Sequence, residues 1–267
     1  MSNMITIAEN AAQSAGAYIA AAFDNRAQLV IEQKSLNDFV SEVDRHSEQL
    51  ITTELRQHFP RHRILGEEFG ESGEQDSPYT WIIDPLDGTT NFLRGIPHFA
   101  VSIGLKREDE LILGVVYDPI KKELFCAEKG HGAELNGQPI QVANGSGLQG
   151  ALLATGVPYS GETLAHITAF TATMTSLLAQ QTSGIRRLGA AALDLAYVAA
   201  GRYDGFWESH LKPWDIAAGA LLVTEAGGVV SALNGDDTYL VSGHILAAEA
   251  QLHKEMLTVT TQAYQGL

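Results

Sequence analysis

The stretch from Trp81 to Phe92 reads WIIDPLDGTTNF, and the rest of the chain is organised around it. Trp81, Ile82 and Ile83 form an apolar run of the kind that makes a short buried strand. Two acids, Asp84 and Asp87, follow. Pro85 between them fixes its own φ and pushes Asp84 toward extended backbone. Gly88 permits a tight turn or a close backbone approach, and Thr89, Thr90 and Asn91 all suit a helix N-cap. The expected product is a strand that carries two acids to its end, with a helix starting just beyond. Carboxylates so placed can hold hard divalent cations. The N–H groups of Gly88 and Thr89 can cradle an anion at a helix start. Cations beside an anion cradle point to phosphoryl chemistry. D-P-x-D-G is also ordinary turn sequence, but a turn needs neither a second acid nor a Thr-Thr-Asn run.

Upstream, Met4–Phe23 is rich in Ala at helical spacing and predicts a helix. Leu29–Gln33 suggests a short strand. Val40, Val43, Ser47, Leu50, Ile51 and Leu55 keep a helical period, with Ser41 as N-cap and Pro60 as terminator. Ile64 and Leu65 read as a strand that exits at Gly66-Glu67-Glu68, before a polar loop over Glu71–Pro78. Downstream, Phe99–Lys106, Leu111–Tyr117 and Glu123–Ala127 predict an antiparallel meander. Another turn follows at Leu135-Asn136-Gly137-Gln138. The Gly- and Ser-rich run Asn144–Gly150 suggests a lobe boundary. Strand and helix then alternate: strands at Ala151–Thr155, Gly184–Leu188, Gly205–Glu208, Val229-Val230 and Ile245–Ala247; helices at Thr163–Leu178, Ala190–Ala200, Trp214–Glu225 and Glu249–Thr258. A meander followed by alternation argues for layered α and β structure. One domain over residues 1–267 is expected, with an N-terminal α+β lobe (1–143) carrying most of the acids and a C-terminal α/β lobe (151–267).

The 267 residues are 45% hydrophobic and 18% charged, enough for a substantial core. The 17 Lys+Arg against 32 Asp+Glu give a formal charge of −15, which argues against a general nucleic-acid binder and against adhesion to an anionic membrane. An acidic protein that acts on an anionic substrate needs cations to bridge the two. Cys126 is the single cysteine and lies in an apolar run, so it reads as a buried filler in a reducing compartment. Met1–Ala22 lacks a basic start and includes Glu9, so no signal peptide is expected and the protein is placed in the cytoplasm. No HExxH, GxSxG or Walker-type loop is present.

The remaining candidates are ambiguous one at a time. Glu67 and Glu68 after a glycine suit a solvated exit loop, unless their strand neighbours the one that ends in Asp84. Asp215, in KPWDIAAGALLVTEAGG, suits a helix N-terminus, yet the helix behind it is almost wholly apolar, so an acid at its head needs a partner. A cation serves as well as a helix dipole. Asp44 could assist Thr89 as proton acceptor, although its local sequence favours a surface acid. Arg186-Arg187 reads as a salt-bridged strand end.

Taken together, Gly66-Glu67-Glu68, WIIDPLDGTTNF, the upstream KSLNDFVSEVD and the downstream PWDIAAGALLVTEAGG resemble the inositol monophosphatase family of magnesium-dependent, lithium-sensitive phosphatases. GAAALDLAYVAAGRYDGFWE looks like its bacterial branch. The resemblance implies an α+β fold, a layered α-β-α-β-α sandwich, usually as a homodimer. It implies two or three Mg2+ ions: Glu67, Asp84 and the Leu86 carbonyl at the first, Asp84, Asp87 and Asp215 at the second, and Glu67 shared with a looser third. Thr89, assisted by Asp44, would orient the attacking water, with Glu67 beside it. Gly88 and Thr89 would hold the phosphate, and Asp87, Ala191, Glu208 and Asp215 would meet the substrate. The implied reaction is hydrolysis of inositol 1-phosphate or a similar polyol monophosphate by a metal-activated water. The alternatives are histidinol phosphate, a nucleotide 3′-phosphate or fructose 1,6-bisphosphate. A partner role in a transcription complex is also implied by some bacterial relatives.

Overall fold

The computed structural model describes residues 3–26, 31–35, 38–145, 147–158 and 161–265. Helix α1 (Asn3–Asp24) leads into a two-stranded hairpin, β1 (Ile31–Ser35) and β2 (Asp38–Ser41), and then helix α2 (Glu42–His58). Leu29 and Val30 of the expected strand lie outside the described residues, as does the side chain of Ser41. Val40 falls in β2 and not in the helix that its spacing suggested.

An eight-stranded sheet follows. Its strands are β3 (Arg63–Gly66), β4 (Gly70–Ser72), β5 (Tyr79–Asp87), β6 (Ala100–Arg107), β7 (Glu110–Asp118), β8 (Glu123–Glu128), β9 (Ala133–Leu135) and β10 (Gln138–Ile140), with helix α3 (Thr89–Arg94) after β5. The order is β10-β9-β8-β7-β6-β5-β3-β4. The meander from β5 to β8 is antiparallel as expected, and β3 joins β5 in parallel. Glu71 and Ser72 belong to β4 and not to the expected loop. The LNGQ turn joins β9 to β10, with positive φ at Asn136 and Gly137 as a tight hairpin requires.

The second half supplies a five-stranded sheet. It contains β11 (Leu152–Thr155), β12 (Gly184–Arg186), β13 (Gly205–Glu208), β14 (Val229–Ser231) and β15 (Ile245–Ala248), in the order β12-β11-β13-β15-β14. Its helices are α4 (Ile167–Ala179), α5 (Ala191–Ala199), α6 (Pro213–Glu225), the short α7 (Tyr239–Ser242) and α8 (Ala250–Ala263). The first turn of the helix expected from Thr163 is 3-10, over Gly161–His166.

Five layers result, an α-β-α-β-α sandwich of the α+β class. Helices α1 and α2 cover one face of the large sheet, where Trp81 and Ile83 point; Ile82, between them, points to the other face. There α5 and α6 form a shared middle layer that also receives Phe206 and Ala247 from the small sheet. Trp207 and Leu246 face outward, onto α4 and α8. Alternate residues of one strand therefore enter different cores, and because both faces are covered the strands read as continuous apolar runs. Helix α6 approaches β7 so closely that a Cβ on Gly114 would stand 2.6 Å from the Ala218 carbonyl oxygen. Cys126 is buried, and burial pushes its thiol pKa up. Among the described residues no helix is long and apolar enough to cross a membrane.

Candidate active site

The parallel pairing of β3 with β5 sets Gly66 against Ile83, and the Glu67 amide donates to the Ile83 carbonyl at 3.1 Å. Glu67 therefore emerges beside Asp84, the condition under which its solvated-loop reading gives way. Glu68 lies outside the cavity lining. Its amide donates to Glu48 Oε2 at 2.7 Å, and the Phe69 amide donates to Glu48 Oε1 at 3.1 Å.

Strand β5 does not stop before its acids. It runs to Asp87, with a shift of register between Asp84 and Asp87: three steps along β5 match two along β6, from Ser102 to Ala100. Residues three apart on a regular strand point to opposite faces. The extra residue of the bulge brings both carboxylates to one cavity. Pro85 has no N–H to lose there, and Asp84 Oδ1 accepts the Leu86 amide at 2.9 Å. Asp87 Oδ2 accepts the Ala192 amide at 2.7 Å, which ties it to α5. Gly88, at φ +96°, turns the chain into α3. The expected Thr or Asn cap is not formed: Gly88 itself is the cap residue, with no side-chain cap bond, and Thr89 opens the helix.

Thr89 turns its hydroxyl toward α2, where Oγ1 reaches Asp44 Oδ1 at 3.0 Å and the Leu86 carbonyl at 3.1 Å. Its one proton can serve only one of them at a time. Asp44 is 1% exposed, so the surface position suggested by its neighbours is incorrect. The contact spans 45 residues, which no local pattern can register.

Asp215 is the helix-end acid weighed for it, and it also reaches the cavity. It accepts the Lys212 amide at 2.7 Å in the first turn of α6, behind Pro213, and it faces the cavity. Glu67, Asp84, Leu86, Asp87, Gly88, Thr89, Ala191, Glu208 and Asp215 all line one cavity of about 400 Å³; of the expected site residues only Asp44 stands behind the wall, reaching it through Thr89. Sequence reasoning did not assign Glu48, Asn91, Arg94 or Arg187 to this region. The spacing of Glu48 from Asp44, one helical turn, was the available signal for the first. Arg186 and Arg187 form no salt bridge among the described residues, contrary to the expected strand-end pair.

The acids raise one another's pKa. Burial and the charges of Glu67, Asp87 and Asp215 lift Asp84 well above the carboxylate range. Burial foremost pushes Asp87 to about 7, Asp215 to about 7 and Glu208 to about 8. Interaction with Asp84 offsets part of the rise at Asp215. Among the described residues no three Asp, Glu, His or Cys side chains close into a ready-made metal cluster. The donor chemistry nevertheless fits a hard cation. Five carboxylates, Glu67, Asp84, Asp87, Glu208 and Asp215, line one cavity and repel each other unless a cation lies between them.

This architecture and its acidic cavity are those of a known class. Residues 1–265 match the inositol monophosphatase family, and the chain belongs to that family. Nus factor SuhB of Pseudomonas aeruginosa is 48% identical over 260 residues, 97% of this chain and 96% of that protein. The crystal structure of the extragenic suppressor protein SuhB from Bartonella henselae superposes with a TM-score of 0.93 at 39% identity, covering 100% of both chains. That of an inositol monophosphatase from Anabaena gives 0.85 at 39% identity, covering 97% of this chain and 95% of that one. Membership supports a phosphatase of this family.

Proposed function

We propose that the protein is a cytoplasmic, magnesium-dependent phosphomonoesterase that hydrolyses inositol 1-phosphate or a similar polyol monophosphate. The observation that carries this reading is the meeting of Glu67, Asp84, Asp87 and Asp215, from three distant segments, in one cavity beside the Thr89–Asp44 pair. Glu67, Asp84 and the Leu86 carbonyl would hold one ion, Asp84, Asp87 and Asp215 a second, and Glu67 would share a third. Bound magnesium supplies positive charge to the phosphoryl oxygens and lowers the pKa of a water.

The chain's own residues handle the proton and the substrate. With its hydroxyl hydrogen on Asp44, the Thr89 oxygen can accept a bond from a water in the cavity. Asp44 can then take up the proton that Thr89 relays. Glu67 lines the same cavity. The Gly88 and Thr89 amides are donors for phosphate oxygens, and Glu208 and Ala191 face the alcohol part. A carboxylate at Glu208 suits vicinal hydroxyls, which favours a polyol over histidinol phosphate, a nucleotide 3′-phosphate or fructose 1,6-bisphosphate. Phosphate release from a panel of these esters, with magnesium present and then chelated, tests the reading. Equal rates after chelation would sink it. The reading includes a homodimer, which sedimentation measures.

A second reading draws on the name Nus factor carried by a relative that matches nearly the whole chain. It gives the protein a partner role in a transcription complex beside its phosphatase activity. Capture of the same partners from a lysate by wild type and by Asp87→Asn would support it. Loss of capture in step with turnover would speak against it.

A further inference from the structure

Three histidines from distant segments meet one another, and none of them lines the acidic cavity. His166 closes the 3-10 turn ahead of α4, His210 lies between β13 and α6, and His244 lies between α7 and β15. The ring centroids are 4.1 Å apart for His166 and His210, 5.0 Å for His210 and His244, and 5.6 Å for His166 and His244. His210 Nε2 stands 2.6 Å from His166 Nε2, so one of the two carries a hydrogen and the other accepts it. His210 holds this position at φ +63°, in the left-handed region that favours glycine. His166 is 6% exposed, and its other nitrogen, Nδ1, is buried without a hydrogen-bond partner among the described residues. None of the three rings forms an ion pair among those residues. Burial lowers the pKa of His166, and burial with the charges of the other two rings brings His244 down to about 4. Both rings are therefore neutral at pH 7.

Neutral imidazoles gathered without a carboxylate are donors for zinc and its neighbours, whereas magnesium demands oxygen. We propose that His166, His210 and His244 form a second cation site, for Zn2+ or a similar nitrogen-seeking ion, separate from the carboxylates that suit magnesium. The three rings do not close on one point as they stand. The ion takes the place of the hydrogen between His166 and His210, which moves to the Nδ1 of its own ring. The gap between the two nitrogens then widens from 2.6 Å toward about 3.3 Å, the spacing around a tetrahedral zinc. His244 has only to turn, and it gives up little, since its Nδ1 is 3.4 Å from the His210 amide nitrogen, beyond a good hydrogen bond. A cavity of about 60 Å³, lined in part by His244, Ser242 and Tyr264, leaves room for a water as the fourth ligand. His210 lies two residues after Glu208 and one before Leu211, both of which line the acidic cavity. An ion held by the three rings therefore pins the loop that carries them.

The test is zinc retention, which does not depend on turnover. The whole protein is loaded with Zn2+ in excess magnesium, dialysed against zinc-free magnesium buffer and assayed for metal by atomic emission. Wild type should keep one zinc per chain. His210→Gly removes a ligand and suits the backbone at φ +63°, so it should fold as wild type does and lose that zinc. His166→Gln and His244→Gln should each weaken zinc binding by at least the roughly 10–100-fold that loss of a mere supporting partner costs. Asp84→Asn, which alters the carboxylate cavity alone, should keep the zinc. In excess magnesium, zinc should raise the melting temperature of wild type and of Asp84→Asn and leave that of His210→Gly unmoved. A wild type that retains no zinc would overturn the proposal. So would zinc that persists in the histidine variants and disappears in Asp84→Asn, since it would then sit among the carboxylates.

Discussion

The carboxylate of Glu48 fills the space where a Cβ on Gly66 would stand, one residue before Glu67. Glu48 thereby braces the whole Gly66–Phe69 exit from below, accepting the amides of Glu68 and Phe69. Removing a buried acceptor strands both donors, at a cost of about 1–3 kcal/mol. Glu48→Ala should lower thermal stability and weaken magnesium dependence, about 10–100-fold in the concentration required, as for other supports of metal ligands. Gly66→Ala should do the same by displacing Glu48. A magnesium titration of phosphate release checks both, and an unchanged titration would show that the brace is purely structural.

Asp87→Asn should reduce kcat by about 10²–10³-fold, the scale seen when a single preorganised electrostatic partner is lost. The amide oxygen of Asn can still accept from Ala192, so the circular dichroism and melting of the variant should match wild type. Retention of near-normal turnover would count against any metal role for this acid.

Thr89→Val keeps shape and removes the hydroxyl between Asp44 and the cavity. Loss of positioned proton transfer costs about 10²–10⁴-fold. Thr89→Ser should keep most activity, and Asp44→Asn should resemble Thr89→Val. Single-turnover rates at saturating substrate and magnesium make the comparison.

The raised carboxyls give the metal-free protein a distinctive pH response. Asp87 and Asp215 take up protons near pH 7 when folded but only near 3.8 when unfolded. The folded state thus binds more protons between these values. Their contribution to stability is complete below about pH 4 and lost as pH rises through 7. In chelator, the melting temperature should fall across that window. Magnesium should reverse the trend, because it binds the ionised acids. Asp84→Asn removes one of the mutually repelling groups and should raise the melting temperature in chelator at pH 8 relative to wild type. Scanning calorimetry at pH 5 and 8, with and without magnesium, reads all three effects.

Gly114→Ala should cost about 1–3 kcal/mol by overpacking α6 against β7. Denaturant melts would measure this directly.

Much of this molecule was readable in advance. The meander and the helix that begins at Pro213 announce themselves through apolar runs and local cap chemistry. The short strands β4, β9 and β10 do not: each has three residues, too few to show a period of two, and β4 and β10 are the two edges of the large sheet. The bulge between Asp84 and Asp87 was also invisible. A carboxylate spacing of three looks the same whether a strand ends or continues with one residue too many. Within the site, residues inside one motif were found by sequence. Glu48, and Asn91 in its bond to the Leu188 carbonyl, act across tens of residues, and only the packing of α2 and α3 brings them to bear.

Helix α6 lies between the two sheets and touches both, while Asp215 sits at its tip and Asp84 belongs to only one of them. A shift of α6 along the large sheet therefore opens or narrows the gap between these two acids. The proposed grip on cations is in this sense a gauge of how α6 is seated on the large sheet. Distant substitutions in the middle layer can retune it without touching a single ligand.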